Sequence, residues 1–121
     1  MTITPIEILF ETDHLRISYL PGDGDSMVVA FTGIKQQLGK IQDEEFIGIG
    51  SQHRENHVLF VTDKQCSWYS HPDMPGQIVE QVLSIAADKG VSSLLTLGNS
   101  MGGYGALLFA ERLNATVAIG F

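Results

Sequence analysis

At 121 residues the chain holds at most one domain, and 44% hydrophobic residues give it the means to build a core rather than stay disordered. A formal charge of −7, from 14 acidic against 7 basic residues with no Lys/Arg cluster, argues against a phosphate-tracking surface, so no nucleic-acid partner is expected. The single cysteine, Cys66, cannot close an internal disulfide, the N-terminal "MTITPIEILFETD" has neither a basic nor a long apolar segment, and no stretch approaches the ~18 continuous apolar residues that cross a bilayer. A cytoplasmic protein with no membrane partner is expected.

In chain order, "IEILF" (6–10) and "LRISYL" (15–20), separated by "ETDH", predict two pairing strands, and "PGDGD" (21–25) forces a turn through proline and glycine. "MVVAF" (27–31) is continuous rather than alternating, as in a strand covered on both faces, and so are "HVLFVT" (57–62), "SLLTL" (93–97) and "ATVAI" (115–119). Four such runs predict a mostly parallel sheet with flanking helices. The segment 33–56 suggests one short helix around 34–41 and otherwise a surface excursion. From Gln77 to Lys89, the spacing of Ile78, Val82, Ile85 and Ala86 predicts a crossover helix that Gly90 stops; a second helix is expected from Met101 to Leu113, closed by Asn114.

Between the strand 93–97 and that second helix stands "GNSMG", residues 98–102, of the form G-x-S-x-G. By average usage the pattern arises by chance in roughly 4% of chains of this length, so its meaning comes from its place between a buried strand and a glycine-opened helix. A turn that sharp brings the backbones around Ser100 so close that side chains at 98 and 102 would collide, and glycine removes them. The turn presents the serine hydroxyl at the C-terminal edge of the sheet, beside unpaired N–H groups that meet developing negative charge. Gly102, Gly103, Gly105 and Ala106 leave the helix nearly bare, at about 1 kcal/mol of helix stability per glycine. The alternative is a structural serine in a tight turn, including an elbow whose chemistry has been lost.

With "GNSMGGYGALLFA" the chain resembles the α/β-hydrolase family, and its esterases in particular. The resemblance implies an α/β-hydrolase-like fold in which 1–121 form the N-terminal part of a single domain, ending after the strand that follows the nucleophile helix. It implies that Ser100 attacks a carbonyl, that the N–H of Met101 gives one oxyanion donor, and that the loop "FTGI" (31–34) gives the second through Gly33 or Ile34. Gly33 reads otherwise as an ordinary strand-ending turn. In that family the acid and the histidine follow the serine, but here only Glu111 and no histidine does. His14 and His57 each open a strand and are expected at the sheet edge opposite Ser100. His71, in "WYSHPDMPG", follows the strand 57–62 on the substrate side. Trp68, Tyr69 and Tyr104 are further candidate lining residues, with ordinary packing as the alternative for each; Asp63 either meets a polar substrate group or caps the turn. Cys66 reads as a small hydrophobe.

The function so implied is a serine hydrolase of ester, thioester or amide substrates acting through an acyl-enzyme. An acyltransferase shares the first half-reaction, and a non-catalytic binding protein would retain the elbow alone. The missing acid and histidine lead to the expectation that the 121 residues alone are inactive or nearly so, and that a C-terminal half or a second chain completes the sheet. No metal or other cofactor is expected, since the histidines and cysteine lack paired ligand spacings, "GDGD" is only part of a calcium loop, and no G-x-x-x-x-G-K occurs.

Overall fold

The structure, a computed structural model, describes residues 6–33, 56–65, 67–98 and 101–120. Six strands form one sheet: β1 (Glu7–Glu11), β2 (Leu15–Leu20), β3 (Ser26–Gly33), β4 (Asn56–Asp63), β5 (Ser93–Gly98) and β6 (Val117–Gly120). Helix α1 (Met74–Asp88) connects β4 to β5, and α2 (Met101–Ala110) connects β5 to β6. The spatial order is β1-β2-β4-β3-β5-β6, so α1 must pass over β3 to reach β5. Strands β3 to β6 run parallel, while β2 pairs antiparallel with both β1 and β4. The short helix expected around 34–41 lies outside the described residues.

The continuous apolar runs of β3 and β4 have the cause expected of them, whereas that of β6 does not, since Val117 and Ile119 are exposed. Residues of β3 and β4 alternate between two buried clusters: Met27, Val29, Phe31, Leu59 and Val61 meet α1 and α2, whereas Val28, Ala30, Val58 and Phe60 join Leu20 and Leu97 on the other face. Both helices belong to one layer, contributing Ile78, Val82, Ile85 and Ala86 from α1 and Ala106 and Phe109 from α2, with Leu113 just beyond it, to the first cluster.

Both helix ends are written in the sequence. Past α1, Gly90 takes φ +70°, its N–H donates to the Ala87 carbonyl, and Val91 N–H reaches back to Ala86 at 2.9 Å. Helix α2 stops at Ala110, short of the expected Leu113, and a turn carries the chain to Asn114, which takes φ +56° and whose N–H donates to the Glu111 carbonyl, while Ala115 N–H reaches Ala110 O at 2.8 Å. These paired bonds satisfy carbonyls that the helix itself leaves open. The cap holds Ala115, and Thr116 N–H bonds Leu94 O, so β6 begins at Val117 rather than at 115. Helix α1 starts at Met74, three residues before the apolar spacing becomes visible, because Pro75 is tolerated in a first turn that has no intrahelical use for its N–H.

Candidate active site

The C-terminal ends of the parallel strands converge on one edge, and there β5 gives way to α2. Gly98 ends β5 and Met101 opens α2; Asn99 and Ser100, between them, lie outside the described residues. A Cβ added at Gly98 would fall inside the Gly102 carbonyl and 2.7 Å from the Gly103 nitrogen. No rotamer change relieves a clash with backbone, so the strand and the first turn of α2 approach this closely only because residue 98 is glycine. Deeper in, a Cβ at Gly105 would stand 2.6 Å from Tyr69 Cε2 and 3.1 Å from Phe31 Cδ1. Buried Thr96 donates its hydroxyl to the Ala106 carbonyl at 2.8 Å, tying α2 to β5 across the gap that small side chains leave. Met101 is buried at the helix start.

Strand β3 lies beside β5, with Phe31 level with Gly98. Gly33, two residues further along β3, therefore extends past the end of β5 toward the opening of α2, and pairs on its other side with Asp63. Ile34, the other candidate oxyanion donor, lies outside the described residues, as do Cys66 and His53.

Asp63 caps the turn that follows β4. It is fully buried, and its Oδ2 accepts from Ser67 N (2.8 Å), Ser67 Oγ (2.9 Å) and Tyr69 N (2.9 Å), while Oδ1 accepts from Gln65 N at 3.1 Å. Four donors around one carboxylate compensate for its burial without a cation. The same bonds hold Trp68 and Tyr69 at φ 59° and 61°, a region that side chains other than glycine seldom occupy. Consecutive left-handed residues reverse the chain so that the two aromatic rings part. Tyr69, at 1% exposed, stands edge-on to Phe31 and Phe109 and fills the slot over Gly105, so it is a packing residue in this structure rather than an open wall. Trp68, half exposed, meets Tyr104 of α2 edge to face at 5.5 Å, and Tyr104 is also open to solvent.

The histidines divide differently from expectation. His57 does lie at the opposite edge, where Nδ1 accepts the Tyr19 hydroxyl at 2.7 Å and Nε2 donates to the Gly24 carbonyl at 2.9 Å, clamping the β2–β3 turn. His14 does not lie there. Because β2 runs antiparallel to β4, with Leu15 paired to Asp63, the start of β2 lies at the C-terminal ends of the parallel strands. There His14 stacks on His71, ring centroids 3.7 Å apart. The order of strands puts β2 three strand spacings from β5, about 14 Å at the usual separation. The stacked pair thus shares the edge with the end of β5 but stands away from it, on the β2 side.

Among the described residues no three His, Cys, Asp or Glu side chains gather as a metal-binding group, and no helix is long and apolar enough to cross a membrane. No protein-family model matches the sequence, and no curated protein matches it significantly. Solved structures do. A poly(3-hydroxybutyrate) depolymerase from Bordetella parapertussis, LpqC, superposes with a TM-score of 0.61 at 15% identity, over 88% of this chain and 45% of its own. Brefeldin A esterase, a bacterial homologue of human hormone-sensitive lipase, does so with 0.57 at 17%, over 91% and 36%. The bottromycin epimerase BotH does so with 0.56 at 20%, over 96% and 47%. The chain spans less than half the length of each of these structures. At such identities the likeness concerns the architecture: this chain has the α/β-hydrolase fold, with its strand order and its helices.

Proposed function

Starting from the α/β-hydrolase fold, we propose that the protein is a serine hydrolase that cleaves an ester, thioester or amide through an acyl-enzyme on Ser100. The observation that carries this reading is the contact of Gly98 with the backbone of Gly102 and Gly103. A strand-ending glycine whose Cβ would strike the backbone at the start of the following helix is the close approach that a nucleophile elbow requires at the first glycine of G-x-S-x-G. In this reading Ser100 Oγ attacks the carbonyl carbon, and the N–H of Met101 with that of Gly33 or Ile34 receives the oxyanion. Trp68 and Tyr104 line the approach to the site. Tyr69 supports them from below, and His71 stands at the outer rim.

A serine hydroxyl needs a proton acceptor. Among the described residues, His14 and His71 stand about three strand spacings away and His57 is engaged at the far edge; His53 lies outside them, and no histidine follows Ser100 in the sequence. We therefore propose that acid and histidine come from polypeptide other than these 121 residues, in the same chain or a second one. The protein isolated from its own cells is expected to hydrolyse p-nitrophenyl esters, with Ser100→Ala lowering kcat/KM by roughly 10³-fold or more. The 121 residues alone are expected to show little or no turnover. Loss of less than tenfold in Ser100→Ala would contradict the role given to Ser100.

The same histidine positions favour a second reading, a binding protein that keeps the elbow without turnover, and BotH illustrates that this fold also serves an epimerase. A native protein that is folded and binds esters but never hydrolyses them would support it. An acyltransferase would instead pass the acyl group to an added alcohol or thiol in preference to water.

A further inference from the structure

We propose that Trp68 and Tyr104 form an aromatic seat that selects substrates carrying an aryl or other flat apolar group. The inference deepens, and rests on, the reading of Ser100 as nucleophile. The loop after β4 contains two adjacent aromatic residues with opposite fates: Tyr69 is buried and anchors the loop, while Trp68 is left 50% exposed. Half of the Trp68 side chain is spent on its contact with Tyr104, and the other half stays open to solvent and free to meet a ligand. Its backbone is held at φ 59° by a loop to which the buried Asp63 carboxylate commits four hydrogen bonds. Strain maintained around an exposed side chain is a mark of functional sites.

The second ring comes from the other side of the candidate site. Tyr104 stands three residues after Met101 in α2, about 4.5 Å along the helix axis from its opening. It is 46% exposed and takes Trp68 edge to face at 5.5 Å with an interplanar angle of 68°. An edge-to-face pair open to solvent presents a ring face and a ring edge in one corner, which matches the offset and T-shaped contacts that a third aromatic ring prefers. A substrate whose carbonyl lies at the start of α2 can lay its aryl group in that corner.

Trp68 is the sole tryptophan of these 121 residues, and the difference in emission between proteins with and without Trp68→Phe isolates its signal. In Ser100→Ala protein, where turnover is removed, titration with phenyl butyrate should change the emission saturably, with binding about fivefold tighter than for cyclohexyl butyrate. Tyr104→Ala should abolish that preference and Tyr104→Phe retain it; both replace an exposed side chain, and circular dichroism verifies the fold. No saturable change, equal affinity for the two esters, or a preference surviving Tyr104→Ala would overturn the proposal. So would a blue shift that grows with protein concentration and shuts out the ester, since a second copy would then occupy the corner. The readout does not depend on the nucleophile. Aryl binding without hydrolysis would keep the seat and remove the hydrolase, whereas hydrolysis of both esters at equal kcat/KM would remove the seat and keep the hydrolase.

Discussion

Asp63 shows how one buried carboxylate organises a loop. Two backbone N–H groups and a hydroxyl converge on Oδ2, and a third N–H meets Oδ1, so amide chemistry cannot replace it. In Asp63→Asn the amide NH₂ must face donors, and charge-assisted bonds become ordinary ones. We expect a loss of about 2–3 kcal/mol in urea unfolding, with Trp68 emission moving toward that of free tryptophan as the loop opens; an unchanged emission maximum would mean that the loop is held by other contacts. At the far edge, burial raises the Tyr19 pKa above its ordinary 10.0, with the Lys89 ammonium acting in the opposite direction. A proton bound more tightly in the folded state gives stability that is complete below pH 10 and is lost as pH rises through the raised value. Ionised Tyr19 also ceases to donate to His57 Nδ1. Urea midpoints of the unmodified protein should therefore fall above about pH 10 more steeply than those of Tyr19→Phe. Parallel curves would contradict the assignment.

At the scale of elements, most boundaries could be read because each has a local cause. The run 27–31 and most of 57–62 and 93–97 are apolar because both faces of β3 and β4, and much of β5, are covered. Gly90 and Asn114 announce helix ends because only glycine and asparagine enter the left-handed region at low cost. Asn114→Val should accordingly lower stability by about 1–2 kcal/mol, whereas Asn114→Gly should leave it unchanged or slightly higher; equal losses in both would show that the asparagine side chain, not its backbone, matters. The elbow glycines were legible for a similar reason, since their contact lies within five residues of sequence. What could not be read is the sense of β2. Nothing in "LRISYL" says which way the strand runs, so His14 was expected at the wrong edge, and its stack with His71 has no counterpart in any spacing. The parting of Trp68 and Tyr69 was hidden too, because alternation along a strand does not apply to a loop folded around a carboxylate.

In the whole molecule these pieces give an α/β-hydrolase sheet whose parallel strands end on Gly33, Asp63, Gly98 and Gly120. Three glycines and one buried aspartate at that edge keep it low. A Cβ at Gly120 would come to 3.0 Å from the Gly103 carbonyl oxygen, so α2 also lies close against β6, though less tightly than against β5. The helix therefore lies over two strands with its opening at the edge where chemistry is proposed, while its outward face carries Tyr104, Leu107 and Leu108 into solvent. The central claim is that a serine at this opening is a nucleophile. It is tested most directly by treating the protein from its own cells with a fluorophosphonate and sequencing the tryptic peptide 90–112, which lies between Lys89 and Arg112 and contains Ser100. A single phosphonyl adduct on Ser100 is expected, absent after heat denaturation and absent in Ser100→Ala. A folded native protein whose Ser100 stays unmodified, or one labelled at another residue, would contradict it.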